Sequence, residues 1–276
     1  MIQEFANYLK ALRGYSENTV SAYTSDIKEF ARWIQLNHSD ERWSTISRHI
    51  IDEYVTHLYN LGLAASSTNR KLSSIAALYN YMMRENLLDE NPVKYESRRK
   101  QPKTIPATIP VAAIQKAYEH ARGVKKTMLG LLASTGIRLQ EMLDLRWEDI
   151  NFSTCEILIN GKGSKQRIVV SCQEVLSDLK YMADTLPVQG RIFYQSQRTT
   201  RQIIWDCIRP YTRASKISPH VIRHTFATQL AKQGENIATI AKILGHERIE
   251  TSQKYINMVE IPRPNGGLLF TTHYKS

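Results

Sequence analysis

Two residues suited to anion binding, His220 and Arg223, lie at the start of a predicted helix in the segment SPHVIRHTFATQL. Ser218 is a favourable N-cap and Pro219 suits the first helical position, so the two side chains share one side of the helix start. Free backbone N–H groups at a helix N-terminus attract anions. Taken alone, this spacing favours an ordinary amphipathic surface helix over an anion site.

Two further basic residues are placed where they could meet a phosphate. Arg138 opens a second helical pattern just after Gly136, and its planar guanidinium suits phosphate oxygens. Lys162 lies between Gly161 and Gly163 in a predicted hairpin turn, where the glycines allow close approach to a partner and the ammonium could donate a proton. Taken alone, Arg138 fits an ordinary surface arginine better than a phosphate ligand, and lysines such as Lys162 are also common on exposed turns.

The last candidates, His246 and Tyr255, lie in the segment ILGHERIETSQKYI. Gly245 ends a predicted helix and leaves His246 just beyond it, and Tyr255 lies on a second short helical pattern. Because this stretch also resembles a helix-turn-helix, a role limited to DNA reading stays open. Together with Arg138, Lys162, His220 and Arg223, these residues supply phosphate ligands, a proton donor, imidazoles and a phenol. Such a set suits transfer of a phosphodiester to a protein hydroxyl without a metal.

The elements that must position these residues are mostly helical. The first hundred residues contain four helical patterns, beginning at Ile2, at Ser16 as N-cap, near Ile46 and near Ser66. Residues 94–110 contain three prolines and five basic residues, and they predict an extended linker. A solvated charge run is the default interpretation of that linker, and a basic strap along a phosphate backbone is the alternative.

Beyond Pro110 one hairpin interrupts the helices. Glu156–Asn160 and Gln166–Val170 are predicted strands around the turn that carries Lys162. Helical patterns resume over Val175–Leu186, Arg201–Ala214, Pro219–Gln233, Asn236–Leu244 and Glu250–Met258. We therefore predict a mainly α protein with a small β-hairpin or sheet, divided into a helical domain (1–95), a basic linker (96–110) and a mixed α+β domain (111–276).

Charge favours a polyanionic partner. The net charge is +11, and residues 111–276 carry 23 Lys and Arg against 14 Asp and Glu, whereas residues 1–110 carry 14 against 12. A basic excess of this size favours nucleic acid over a membrane surface, although a merely soluble basic protein is also consistent with it. No apolar run reaches the length of a membrane span, and the three separated cysteines and the N-terminal segment predict a cytoplasmic protein.

The ordered set of motifs resembles the tyrosine recombinases of the λ-integrase type over nearly the whole chain. TGIRLQEMLDLRWEDI is similar to the family's first-arginine motif, GKGSKQRIV to its catalytic-lysine hairpin, and the segments around His220 and Tyr255 to its last two motifs. YSENTVSAYTSDIKEFARWI is similar to the first long helix of its core-binding domain. One departure is Ile256-Asn257, where Thr-His often follows the nucleophilic tyrosine.

The resemblance assigns a role to each candidate. It implies that Tyr255 attacks the scissile phosphate to form a 3′-phosphotyrosyl bond, while Arg138 and Arg223 bind the phosphate oxygens. It also implies that Lys162 protonates the leaving 5′-oxygen and that His220 acts as general base or phosphate ligand.

Two supporting roles and an assembly follow from the same resemblance. His246 is implied to donate a hydrogen bond to the phosphate, and Glu141 to orient Arg138. The expected protein is a simple recombinase of the Xer type without an arm-binding domain, needing neither cofactor nor metal. It is expected to act on double-stranded DNA as a homotetramer or with a related recombinase, through a Holliday junction, with an accessory protein in some systems. Whether residues 265–276 dock on a neighbouring protomer stays open.

Two other functions remain compatible with the sequence. A type IB topoisomerase uses similar residues to nick and reseal one duplex without exchange. A catalytically inactive DNA-binding protein would need only the helix-turn-helix character. For the recombinase, the role is expected to be either chromosome or plasmid resolution or the integration of phage and mobile elements.

Overall fold

The computed structural model of the protein describes these residues: 1–94, 97–100, 106–161, 166–185 and 190–245. The chain divides into two compact units, Met1–Lys103 and Thr104–Ser276. Both units are mainly helical, and the second also contains a small antiparallel sheet. The predicted fold class is confirmed.

Four helices build the first unit: α1 (Ile2–Ala11), α2 (Glu17–Asn37), α3 (Arg48–Asn60) and α4 (Ala65–Arg84). Ser16 caps α2 as predicted, because its side-chain oxygen accepts a hydrogen bond from the Thr19 N–H. The apolar residues at helical spacing face inward, and Phe30 and Ile75 are completely buried. Burying one such side chain contributes about 1.5–3 kcal/mol, so the shared core holds these helices together.

An ionic cluster around the buried Asp26 also joins α2 to α4. Asp26 is only 3% exposed, and it accepts hydrogen bonds from Arg70 and from the Ser74 hydroxyl at 2.8 Å. The Lys71 ammonium lies 3.4 Å from Asp26 and 2.5 Å from Glu29. Both cations therefore come from one helix and both carboxylates from the other.

Part of the segment predicted as linker packs against the first unit. The Asn69 side chain donates to the Arg99 carbonyl and accepts from its N–H at 2.8 and 2.9 Å. Arg98 donates to Ser73, and Arg99 donates to the Leu63 carbonyl. In the second unit, the Ile109 N–H donates to the Thr225 hydroxyl at 2.9 Å, so residues on both sides of 101–105 are held by their own unit.

Seven helices build the second unit within the described residues: α5 (Val111–His120), α6 (Gly123–Thr135), α7 (Leu139–Asp144), α8 (Gln173–Thr185), α9 (Gln197–Ile208), α10 (Pro219–Lys232) and α11 (Ile237–Leu244). The predictions for α8, α10 and α11 are confirmed to within two residues. The prediction Arg201–Ala214 is wrong at both ends. The helix begins four residues earlier, at Gln197 with Ser196 as its N-cap, and it ends at Ile208, where Pro210 accompanies a change to a short 3-10 turn. The predicted helix Glu250–Met258 lies outside the described residues.

Three antiparallel strands form the sheet in the order β1 (Ile150–Asn151), β2 (Glu156–Asn160) and β3 (Gln166–Val170). The predicted hairpin β2–β3 is confirmed in both of its strands, whereas the two-residue β1 was not predicted. Arg167 lies opposite Ile159, and Val169 lies opposite Ile157. Since side chains alternate along a strand, Arg167 projects from the same face as buried Val169.

Among the described residues, no helix combines the length and the apolar character that a membrane span requires.

Candidate active site

Helix α10 presents the first two candidate residues. The Ser218 hydroxyl accepts from the Val221 N–H at 3.3 Å, and Pro219 occupies the first turn, as the sequence predicts. His220 is exposed, whereas Arg223 is 4% exposed. Phe226 lies on the core side of the same helix. The two candidates therefore share a helix start but differ in environment: one ring reaches solvent and one guanidinium lies inside the unit.

Buried Arg223 bridges the ends of two helices. Its Nη1 donates to the Gly136 carbonyl at 2.7 Å, and its Nη2 donates to the Leu244 carbonyl at 2.6 Å. Gly136 ends α6 in the left-handed conformation, with φ of 62°. A Cβ there would lie 2.4 Å from the Phe226 ring, so both the backbone angle and the space require glycine. The end of α6 is thus shaped around α10 and its arginine.

Arg138 occupies the N-cap of α7 and is held by Glu141. The Arg138 N–H donates to Glu141 Oε2 at 2.8 Å, and its Nη1 donates to Oε1 at 2.8 Å. Its Nη2 donates to the Gly245 carbonyl at 2.9 Å, yet the side chain remains 46% exposed. Arg138 is therefore fixed in direction while part of its guanidinium stays available to a ligand.

Glu141 is 7% exposed and also binds a second arginine, Arg167. The Arg167 Nη1 and Nη2 donate to the two carboxylate oxygens at 2.9 and 2.7 Å, which is a bidentate pair. Burial by itself raises the pKa of Glu141, but the hydrogen bonds from Arg167 and Arg138 outweigh it and lower that pKa to about 2. The carboxylate is therefore ionised at neutral pH.

The three arginines meet at the C-terminal end of α11, on three consecutive carbonyls. Arg167 Nε donates to Ile243 at 2.9 Å, Arg223 binds Leu244, and Arg138 binds Gly245. The last carbonyls of a helix have no partner within it and carry partial negative charge, which cations offset. We call this set of contacts the α11 arginine cap. It brings Arg138 and Arg223 to one helix end.

His220 contacts His224, one helical turn further along α10. The two Nε2 atoms are 2.8 Å apart and the ring centroids are 4.1 Å apart. Within this pair one Nε2 donates and the other accepts, so the tautomer of His224 influences that of His220. His224 is not among the candidates named from the sequence, yet it lies directly beside one of them, His220.

The remaining candidates, Lys162, His246 and Tyr255, lie outside the described residues, as does the tail 265–276. Sequence reasoning missed Arg167. The sequence did contain a signal: Arg167 lies two residues before the apolar Val169 on a predicted strand, and residues two apart share one face of a strand. Among the described residues, no cluster of three or more His, Cys, Asp or Glu side chains has an arrangement that would hold a metal ion.

The partly exposed Arg138 guanidinium is already oriented by Glu141 and by the Gly245 carbonyl, so an anion bound there would require little reorganisation, whereas Arg223 is buried with both Nη atoms on carbonyls. Preorganised donors of this kind stabilise the charge that develops on phosphate oxygens during transfer.

Comparison with known sequences identifies the family. Residues 107–260 match the Phage integrase family, and residues 2–86 match the Phage integrase N-terminal SAM-like domain. A tyrosine recombinase of Pseudothermotoga lettingae is 32% identical over 94% of both chains. The tyrosine recombinase XerC of Anoxybacillus flavithermus is 30% identical over 93% of this chain and 92% of its own.

Comparison with solved structures supports the same fold. The XerH site-specific recombinase bound to its palindromic difH substrate superposes with a TM-score of 0.75 at 18% identity, covering 94% of this chain and 82% of its own. A λ integrase dimer (residues 75–356) on a COC′ core site gives 0.74 at 16% identity, covering 97% and 98%. The chain therefore belongs to the phage integrase family, as a DNA breaking and rejoining enzyme of the tyrosine-recombinase type.

Proposed function

We propose that the protein is a site-specific recombinase that cleaves duplex DNA with Tyr255 as nucleophile. The observation that carries the proposal is the α11 arginine cap. It brings Arg138 and Arg223 to the C-terminal end of α11. In the sequence, His246 follows Gly245 directly, and Tyr255 lies ten residues after Gly245. Arginines that bind the phosphate would then be anchored to the segment that supplies the nucleophile.

The proposed step exchanges one phosphodiester bond for another. The Tyr255 hydroxyl oxygen bonds to the scissile phosphorus, and the bond from phosphorus to the 5′-oxygen breaks. His220 accepts the tyrosine proton or binds the phosphate, and Lys162 gives a proton to the leaving 5′-oxygen. Because the 3′-phosphotyrosyl bond retains the energy of the phosphodiester, rejoining needs no ATP.

The arginines act on the transition state in this proposal. Charge gathers on the nonbridging oxygens as the pentavalent phosphorus forms, and Arg138, Arg223 and His246 donate to those oxygens. Removing one donor of this kind typically slows a reaction by about two to three decades. Glu141 binds no substrate atom in this scheme and orients Arg138.

The proposed substrate is a specific duplex DNA site, and the proposed active species is a tetramer on two sites, of this chain alone or with a related recombinase. Strand exchange would proceed in pairs through a Holliday junction. The Xer-type relatives favour resolution of chromosomes or plasmids, and integration of mobile DNA is the other role in the family. We place the reaction in the cytoplasm, where bacterial DNA lies, with an accessory protein as a further partner in some systems.

The experiment begins by finding the DNA site. The full chain is incubated with sheared genomic DNA of its source organism, covalent complexes are collected in detergent, and the attached ends are sequenced. A nicked duplex of the site is then used to trap the intermediate. We expect an adduct that is lost in Tyr255→Phe and retained in Tyr181→Phe, a matched change at a 70% exposed tyrosine.

Two results would decide against the proposal. An adduct that persists in Tyr255→Phe would reassign the nucleophile, and no adduct with any recovered site would favour a DNA-binding protein without cleavage activity. Two marked sites incubated with the protein should also yield recombinant products. Nicking and resealing without recombinants would identify a topoisomerase instead.

A further inference from the structure

We infer that Arg167, to which the sequence assigns no role, is a positioning residue for strand cleavage. It holds Glu141, and Glu141 in turn holds the phosphate-binding Arg138. This inference rests on the proposed function of Arg138, and it adds a residue that lies behind the reacting groups.

The Arg167 side chain is built into the unit. It is 12% exposed, and three of its donors are used: Nη1 and Nη2 bind Glu141, and Nε binds the Ile243 carbonyl. An arginine side chain that is bound at three points keeps one orientation. Since its guanidinium is directed at Glu141 and at the end of α11, its effect on DNA has to pass through its partners.

Glu141 is the connection to the phosphate-binding side chain. Each of its carboxylate oxygens accepts from both arginines: Oε1 from the side chains of Arg138 and Arg167, and Oε2 from the Arg138 N–H and the Arg167 Nη2. A carboxylate with four donors has a fixed plane. If the two Arg167 donors are removed, Glu141 can rotate, and the Gly245 carbonyl is then the one fixed partner described above that still directs the Arg138 guanidinium.

A second observation shows that the backbone accommodates this arginine. Gly245 has φ of 63°, and a Cβ on it would lie 3.0 Å from Arg167 Nη1. The guanidinium therefore packs directly against the turn that ends α11. Glycine satisfies both requirements there, the left-handed angle and the close approach of the side chain.

Arg167 also connects the three parts of the site in sequence. It lies five residues after Lys162 on the hairpin, its partner Glu141 lies three residues after Arg138, and its acceptor Ile243 lies three residues before His246. One guanidinium thus fixes elements that lead to three proposed catalytic positions. A displacement of about 1 Å in a reacting group can cost roughly a hundredfold in rate.

The alternative is a buried ion pair that acts on stability alone, which is common in proteins. The two roles predict different kinetics. A stability role lowers the folded fraction and leaves the chemistry of folded molecules unchanged. A positioning role slows cleavage in fully folded, DNA-saturated protein.

The primary variant is Arg167→Lys, which keeps the charge but loses the bidentate fork. In single-turnover reactions on the nicked duplex that traps the covalent intermediate, we expect this variant to cleave about 10- to 100-fold more slowly than the wild type. The dissociation constant for DNA should change less than about threefold. The matched control is Arg122→Lys, since Arg122 also binds helix-end carbonyls, those of Glu119 in the last turn of α5 and of its C-cap Ala121. We expect this control to cleave at the wild-type rate.

A modified substrate separates positioning from a general defect. A methylphosphonate at the scissile position lacks one nonbridging negative charge, so its cleavage depends less on a correctly directed Arg138. We expect the slowing by Arg167→Lys to be at least about fivefold smaller on this substrate than on the phosphate. Equal slowing on the two substrates would overturn the inference.

A double variant keeps the test decisive if Arg167→Lys folds poorly. Glu141→Gln with Arg167→Met removes both charges and leaves no unpaired ion buried between them. If Arg167 acts through Glu141, this double variant cleaves within about twofold of Glu141→Gln alone. A further tenfold loss would refute that route. Wild-type adduct formation and its loss in Tyr255→Phe test the proposed function separately.

Discussion

Each unit of this protein buries one carboxylate between two cations, Asp26 in the first unit and Glu141 in the second. The cations on Asp26 are neighbours on α4, so these two contacts join α4 to α2. The cations on Glu141 come from the start of α7 and from β3, and each also binds a carbonyl at the end of α11.

The difference separates a packing role from an organising role. The side chains that bind Asp26 directly all lie on α4, and Glu29 extends the cluster to Tyr54 on α3, so the loss of Asp26 loosens helix packing. The contacts around Glu141 instead continue through both guanidiniums to main-chain carbonyls at the end of α11, the helix that His246 follows in the sequence. Similar chemistry therefore serves stability in one unit and the direction of a ligand-binding side chain in the other.

The largest expected effect lies in the α11 arginine cap. Arg223→Ala removes a guanidinium that we propose binds the phosphate and also leaves the Gly136 and Leu244 carbonyls without that donor. We expect the single-turnover cleavage rate to fall by about two to three decades. Arg223→Lys, which keeps a charge but not the fork, should recover part of the rate. A loss below about tenfold in Arg223→Ala would contradict this view.

Neutralising the two buried carboxylates should have different effects, on stability at Asp26 and on the cleavage rate at Glu141. Asp26→Asn leaves Arg70 and Lys71 with less compensation, so we expect the free energy of unfolding to fall by about 3 kcal/mol. Cleavage per folded molecule at saturating DNA should change less than about twofold. Glu141→Gln should instead slow cleavage by more than about tenfold. Urea unfolding and single-turnover rates on both variants test the contrast, which fails if the two variants lose rate equally.

The pH dependence of stability should reveal Glu141. Its pKa is lowered from 4.5 to about 2, so its contribution is present above pH 4.5 and is lost as the pH falls toward 2. At about 1.36 kcal/mol per pKa unit, the contribution is at most roughly 3 kcal/mol. The difference in unfolding free energy between wild type and Glu141→Gln should therefore shrink over this range. Parallel pH profiles would contradict the assignment.

The smallest expected effect is a difference in stability between alanine substitutions at two glycines that have left-handed backbone angles. Gly62 in the first unit has φ of 76° with open space around it, whereas Gly136 has φ of 62° and faces Phe226. Gly62→Ala should cost about 1 kcal/mol of stability for the backbone angle alone. Gly136→Ala should cost roughly 1 to 2 kcal/mol more, because Phe226 must also move. Equal shifts in urea midpoint would show that the ring adapts freely.

Short sequence patterns were sufficient to predict those elements whose form depends on neighbouring residues. The start of α10 follows from Ser218 and Pro219, and the strands of the hairpin follow from their residue types and the glycines between them. The motif order also led to Arg138, Arg223 and the partner Glu141. The helix start and the strands depend on residues close together in the chain, whereas Arg138, Arg223 and Glu141 came from the resemblance of the whole ordered set of motifs to a family.

The part that sequence could not supply depends on distant groups. Arg167 binds a carboxylate 26 residues earlier and a carbonyl 76 residues later, and no local pattern indicates either partner. The acceptors at the end of α11 are main-chain groups, which every residue possesses and which no letter of the sequence marks. The contact between His220 and His224 was accessible from their spacing, but their roles were assigned one residue at a time.

The α11 arginine cap has a consequence for how this protein can vary. Its acceptors are backbone oxygens, so the arginines do not depend on which side chains stand at Ile243 and Leu244. Those side chains are buried with Phe226 and Leu230 and can be exchanged for others that fill the same space. Substitutions at these two positions can therefore change the packing of the core during evolution, while the main-chain oxygens that bind the arginines keep their positions.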